Sequence, residues 1–192
     1  FNKKLILGFA ASKAQFFPEY FPDSIKYSRD STNYEWFRFY ADSLQIPTID
    51  YNAWLLSMKQ SSAIPLYPKY GIHWSHYAAC LVADSLIHSI EGSLQQDLPE
   101  LDWSEIEWGT PRYDDNDIEK GLNLMFALSG PKLAYPKCHF ESDTNKKRPN
   151  VMVIADSYYW SLFNLGIFNS FHKNFFWYYF NEVYQPGTLP ML

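Results

Sequence analysis

Two side chains in this sequence could carry nucleophilic chemistry. Ser157 follows the β-branched run Val151-Met152-Val153-Ile154-Ala155 and precedes an aromatic, apolar segment that reads as a helix. A Ser at such a strand-to-helix turn stands at the carboxyl edge of an α/β sheet, where reactive groups are exposed. Its hydroxyl is a weak nucleophile until a base takes its proton. His73, in Gly71-Ile72-His73-Trp74, opens a second helix and could bring an imidazole to the same edge. The backbone N–H groups of Ser157 and Tyr158 would be the natural donors to a developing oxyanion. Two plainer readings stand beside these. Asp156-Ser157 is a pair favoured as a helix cap, and a His next to a Trp can be a hydrogen-bonded core residue.

Other chemistry has less support. His73 and His76 have helical i, i+3 spacing, but no HExxH pattern or acidic third ligand accompanies them, so no metal and no cofactor are expected. Asp114-Asp115-Asn116-Asp117 looks like the start of a calcium loop. The sixth position of either frame is Glu119 or Lys120, however, where glycine is required, so a helix cap explains these acids better. The run Phe175 to Phe180 reads as core rather than as an exposed sugar platform.

The elements that must position these residues follow from periodicity. Lys4 to Ala10 reads as a buried strand feeding a loop at Ala11-Ser12-Lys13. A helix is expected from about Thr32 to Leu44, with Tyr34, Phe37, Tyr40 and Leu44 on the packed face. Ile46 to Asp50 is a second strand and Tyr51 to Met58 a helix capped by Asp50. Ser75 to Glu91 is a longer helix, with Trp74, Ala78, Leu81, Val82 and Leu86 inward and Asp84, His88 and Glu91 outward. Gln96 to Glu119, with nine acids and one base, reads as a surface loop or short hairpin. Asp114 or Asp115 would then cap a helix carrying Ile118, Leu122, Met125 and Phe126. Gln185 to Leu192 reads as a loop. Alternating strands and helices without a Pro/Gly linker predict one α/β domain over 1–192 with a mainly parallel sheet, which a longer protein could contain.

Composition narrows the classes. The chain has 192 residues, 19% of them aromatic and 47% hydrophobic, which supports a packed core and excludes disorder. The longest apolar stretch, Leu5 to Ala11, is far short of the roughly 20 residues of a membrane-spanning helix. A net charge of −5, with basic residues scattered between Lys132 and Arg148, sets nucleic-acid binding aside. Cys80 and Cys138 lack CxxC spacing; they could pair or stay free.

Three pieces in order resemble a known family: Ile6-Leu7-Gly8-Phe9 through Lys13 with Pro18-Glu19-Tyr20-Phe21-Pro22, then Tyr70-Gly71-Ile72-His73-Trp74, then Val153-Ile154-Ala155-Asp156-Ser157-Tyr158. Together they are similar to SGNH-hydrolase-like proteins of the alginate O-acetylation type and their DHHW relatives. There the His of a D-x-H-W motif precedes the Ser of a G-D-S-[FY] motif, and His73 and Ser157 match those positions. The resemblance implies a three-layer α/β/α fold with a flavodoxin-like sheet. It also implies a Ser that carries an acyl group to or from a carbohydrate hydroxyl, commonly in the periplasm or outside the cell. A carbohydrate or acylated glycan would be the partner, with Tyr158, Lys13 and Trp74 as pocket residues.

Two positions depart from the pattern. The family's Asp, two before the His, is Gly71 here, so the group that would orient His73 is absent from its usual place. The Gly of G-D-S is Ala155 here. Asp156 matches the motif but reads as structural, which leaves Asp50 and Asp84 as substitute acids, or a Ser-His dyad. A catalytically degenerate glycan-binding or scaffolding domain is the alternative.

Overall fold

The structure is a computed structural model that describes residues 3–10, 12–23, 31–179 and 181–187. Ala11, Phe180 and residues 188–192, which fall in segments read above as loop or core, lie outside the described residues. The chain divides into two compact units, Phe1–Ala63 and Ile64–Leu192.

In the first unit, β1 (Leu7–Phe9) pairs in parallel with β2 (Thr48–Asp50), Leu7 opposite Thr48 and Phe9 opposite Asp50. Between them come α1 (Lys13–Phe16), a 3₁₀ turn (Pro18–Tyr20) and α2 (Asn33–Ser43); α3 (Tyr51–Met58) follows β2. Thr32 and Glu35 form a reciprocal capping box on α2, and Asp50 caps α3 by accepting from the Ala53 N–H at 2.8 Å. The inward face of α2 differs from the expectation. Tyr34 and Arg38 both donate to Asp50 Oδ2, at 2.6 and 2.7 Å, and Ala41 is the buried residue. That i, i+4, i+7 anchoring turns Phe37, Tyr40 and Leu44 out to solvent.

The second unit is built on α4 (His76–Leu94), capped by the buried Ser75, whose hydroxyl accepts from the Ala78 N–H. Its inward stripe is Ala78, Ala79, Cys80, Val82, Ala83, Ile87 and Ile90, all buried. Leu81 and Leu86, expected inside, are only half-buried. The acidic stretch, read as a surface loop or short hairpin, contains a strand, β3 (Leu101–Gly109). It runs antiparallel to β4 (Leu133–Phe140), with an irregularity between Trp103 and Ile106. The acids of β3, Asp102, Glu105 and Glu107, face solvent on an exposed ribbon, which is why hydropathy alone did not choose between loop and hairpin.

The helix expected after Asp114 is one short turn, α5 (Asp117–Gly121), with Asn116 rather than an aspartate at its cap position; Leu122, Leu124, Met125 and Phe126 lie exposed beyond it. Next, β5 (Asn150–Ala155) leads into α6 (Tyr158–Leu165), which ends on Gly166 at φ 94°, a conformation glycine adopts without strain. After a 3₁₀ turn (Ile167–Ser170), β6 (Lys173–Tyr178) pairs in parallel with β5 and antiparallel with β7 (Glu182–Tyr184). One face of this sheet meets α6 through an aromatic cluster: the Phe176 ring lies 4.8 Å from Tyr159 and 4.9 Å from Trp160. Phe176 is fully buried, a placement worth about 2–3 kcal/mol. The fold is mixed α/β, and its described strands form three small sheets with both parallel and antiparallel pairs.

Candidate active site

The turn between β5 and α6 separates the two readings of Ser157. Asp156 does the capping: its Oδ1 accepts from the Tyr158 N–H at 3.0 Å. The Ser157 side chain makes no capping bond. Its hydroxyl instead donates to His73 Nε2 at 2.9 Å. A plain helix cap would spend that oxygen on the backbone.

His73 sits in a bend of the chain just before α4, its side chain 14% exposed. Its Nδ1 lies 3.2 Å from Asp117 Oδ2, and Asp117 Oδ1 accepts from the Ile72 N–H at 2.8 Å. The carboxylate is thus fixed at both oxygens, and the Nδ1–H that it accepts leaves the lone pair of Nε2 facing Ser157. The acid absent from position 71 is therefore supplied by the first residue of α5. Neither expected substitute fills the role: Asp50 caps α3 and binds Tyr34 and Arg38 within the first unit, and Asp84 lies on α4 against His88. Nor is a Ser-His dyad the arrangement.

Gly71 explains how α5 reaches this position. A Cβ on residue 71 would stand 2.7 Å from the Asp114 carbonyl oxygen and 2.8 Å from the Asp115 carbonyl carbon. The N–H groups of Ile118 and Glu119 both point to the Tyr70 carbonyl, at 3.0 and 3.3 Å. The segment 70–72 and the start of α5 are therefore laced together by main-chain bonds.

A second layer holds that loop. Asp115 is buried; its carboxylate accepts from the Tyr135 hydroxyl of β4 at 2.8 Å and from the His76 backbone. Burial pushes the Asp115 carboxyl up to about 6, against the pull of those donors. The Tyr135 oxygen in turn accepts from the Arg112 N–H at 2.7 Å. The His76 ring lies among Tyr113 and Tyr135, and burial lowers its basicity, followed by the nearby Arg112 charge.

The expected pocket residues fall in different places. The Tyr158 ring meets the His73 imidazole edge-on at 4.8 Å and forms a wall of the site. Its hydroxyl donates to the Ile72 carbonyl at 3.2 Å and is also bonded to the buried Tyr67. The Tyr158 backbone N–H, expected as an oxyanion donor, is taken by Asp156, which leaves the Ser157 N–H for that role. Trp74 is buried, its indole N–H donating to Ser161 Oγ at 2.6 Å and its ring backing Tyr158 at 4.9 Å. Lys13 opens α1 in the first unit.

An oriented Ser-His-Asp series of this kind can remove a proton from the serine as it attacks an acyl carbonyl and return it to a leaving group. No family model and no curated protein sequence matches the chain. Solved structures do match it in fold, which is mixed α/β. The O-acetyltransferase domain of Pseudomonas putida AlgJ is similar at 15% identity and a TM-score of 0.59, over 92% of this chain and 63% of that one. Pseudomonas aeruginosa AlgX is similar at 11% identity and 0.55, over 91% of this chain and 44% of that one. Bacillus cereus PatB1 is similar at 12% and 0.52, over 89% and 72%. The chain thus spans less than two thirds of AlgJ and less than half of AlgX. At the level of fold, these likenesses agree with the SGNH-like resemblance in the sequence. Among the described residues, no helix is long and apolar enough to cross a membrane.

Proposed function

We propose that the chain is a serine-dependent acyltransferase acting on carbohydrate hydroxyls, with Ser157 as nucleophile, His73 as general base and then acid, and Asp117 as the orienting acid. The observation that carries this reading is the hydrogen-bonded series from Ser157 Oγ through His73 to Asp117. As Ser157 Oγ attacks the acyl carbonyl of a donor ester, Nε2 takes its proton and Asp117 stabilises the imidazolium. The Ser157 N–H meets the oxyanion. Collapse expels the donor alcohol with the proton from His73, and an acyl-serine remains. A sugar hydroxyl then gives its proton to Nε2, attacks the acyl carbon and leaves as the ester, regenerating Ser157. Water in place of the sugar would make the same site an esterase; the fold shared with an O-acetyltransferase domain favours transfer.

The finer features implied by the resemblance belong to this proposal: a three-layer, flavodoxin-like α/β/α domain over 1–192, the motif order with His before Ser, an acetyl group as cargo, and a periplasmic or extracellular location. Tyr158 would flank the sugar or acyl group, with Trp74 behind it. The degenerate glycan-binding reading drew its support from the missing acid at Gly71, and Asp117 removes that support.

The test is covalent labelling with a fluorophosphonate, mapped by peptide mass, on wild type, Ser157→Ala and His73→Ala. The expected result is one label at Ser157, absent from both variants, together with release of acetate from an aryl acetate. A folded wild-type protein that takes no label and releases no acetate would overturn the proposal.

A further inference from the structure

Two nucleophilic side chains outside the site face each other inside the second unit. Cys80 lies on the buried face of α4 and is fully enclosed, whereas Cys138, near the end of β4, is partly exposed. Their sulfurs are 3.2 Å apart, and α4 packs directly on β4. Two thiols in such contact need move only about 1 Å to reach the roughly 2.05 Å of a sulfur–sulfur bond. We propose that Cys80 and Cys138 are a disulfide-forming pair that staples α4 to β4, accepting oxidation from a disulfide of the glutathione class. This does not depend on the acyl-transfer reading.

The environment divides the roles of the two thiols. Either sulfur can donate in this contact; the contact holds the Cys138 thiol below its ordinary range, and the same contact, and then burial, push the Cys80 thiol up. Cys138 is thus both the more accessible sulfur and the readier thiolate. Its thiolate attacks one sulfur of glutathione disulfide, forming a mixed disulfide and expelling one glutathione thiolate. Cys80 then loses its proton and attacks the Cys138 sulfur, expelling the second. Two protein thiols are oxidised, one disulfide is reduced to two thiols, and the two cysteine protons end on the departing glutathiones.

The bond would close a loop between residues 58 apart in sequence. That loop contains β3, Asp115 and Asp117. It would join the helix that follows His73 to the strand whose Tyr135 holds Asp115, so it would restrain the scaffold behind both the base and the acid of the series. Chain-entropy arguments for a loop of this size, spread over a domain of this size, predict a melting temperature about 5–15 °C higher in the oxidised form.

The test equilibrates the folded 192-residue chain with glutathione disulfide, quenches with an alkylating reagent, and reads intact mass, peptide linkage and thermal unfolding before and after reduction. The expected result is a mass about 2 Da lower from loss of two hydrogens, a Cys80–Cys138 peptide link, and a melting temperature that falls on reduction. Cys80→Ala should trap glutathione on Cys138, whereas Cys138→Ser should leave Cys80 unmodified. Alkylation of both cysteines after oxidation, an intermolecular link, or a link without any change in melting temperature would each overturn the proposal.

Discussion

Gly71 lies so close to the backbone of Asp114 that a Cβ would stand 2.7 Å from its carbonyl oxygen. The stretch of chain pressed against that glycine is the one that delivers Asp117 to His73. The missing acid at 71 and the acid at 117 are thus two parts of one arrangement: the space a side chain would need at 71 is filled by the loop that carries its replacement. Gly71→Ala must therefore move backbone rather than the end of a flexible side chain. We expect a loss of about 1–3 kcal/mol from overpacking, with slower fluorophosphonate labelling of Ser157. Gly71→Asp should not rescue Asp117→Ala, because its carboxylate has no room to reach His73. Wild-type melting and labelling in Gly71→Ala would contradict this account.

Asp117→Asn separates orientation from folding. The amide oxygen can still accept from the Ile72 N–H, so the junction of 70–72 with α5 should hold. Its NH₂ would then face His73 Nδ1, which must accept, and the proton moves to Nε2, the atom that has to receive the Ser157 proton. The expected result is a melting temperature close to wild type with turnover lower by about 10²–10⁴-fold, the usual cost of the wrong tautomer. Steady-state release of acetate from an aryl acetate, measured beside thermal unfolding, checks both halves.

These contacts show what the sequence can and cannot reveal. Ser157 and His73 were legible because a strand-to-helix turn and a helix start are local patterns, and so were α2, α3, α4 and β5, whose caps and periodicities stand in consecutive residues. Asp117 was not legible. It lies 44 residues from His73, in a run of acids that local rules assign to capping, and only the register of the loop against Tyr70 and Gly71 singles it out. The available signal was the glycine itself, since a motif position that loses its acid to the smallest residue makes room for a neighbouring backbone. In the sequence, the strand β3 stands between a loop and a short hairpin for a related reason. Its stability comes from pairing with β4, about 30 residues away, and not from its own exposed and acidic residues. On α2, tertiary hydrogen bonds to Asp50 outweighed the aromatic stripe in choosing the inner face.

The division of labour between Asp156 and Ser157 is open to a direct comparison. Asp156 holds the first turn of α6 through the Tyr158 N–H, whereas Ser157 holds only His73. Asp156→Ala should cost about 1 kcal/mol, the usual price of a lost cap, or about 2–4 °C in a domain of this size. Ser157→Ala should melt close to wild type and take no label. The reverse pattern, a destabilised Ser157→Ala beside an unaffected Asp156→Ala, would restore the capping reading of Ser157.

The buried Asp115 makes stability depend on pH in a definite direction. Its carboxyl titrates near 6 in the folded chain instead of the ordinary 3.8, because burial disfavours the charge. The groups facing it are the Tyr135 hydroxyl from β4, the His76 backbone from α4, and the like charges of Asp114 and Asp117 in its own loop. Between pH 4 and 6 the folded chain keeps a proton that the unfolded chain has released. The stabilising contribution is therefore fully present below about 4 and is lost as pH rises through about 6. Asp115→Asn has no proton to lose, and its amide oxygen can still accept from Tyr135. Relative to wild type, this variant should gain about 2–3 kcal/mol between pH 4 and pH 7, read from denaturant unfolding at the two values. A difference between the two proteins that does not change with pH would show that the Asp115 carboxyl is ionised throughout, and that the loop carrying Asp117 is held by a charged anchor rather than a neutral one.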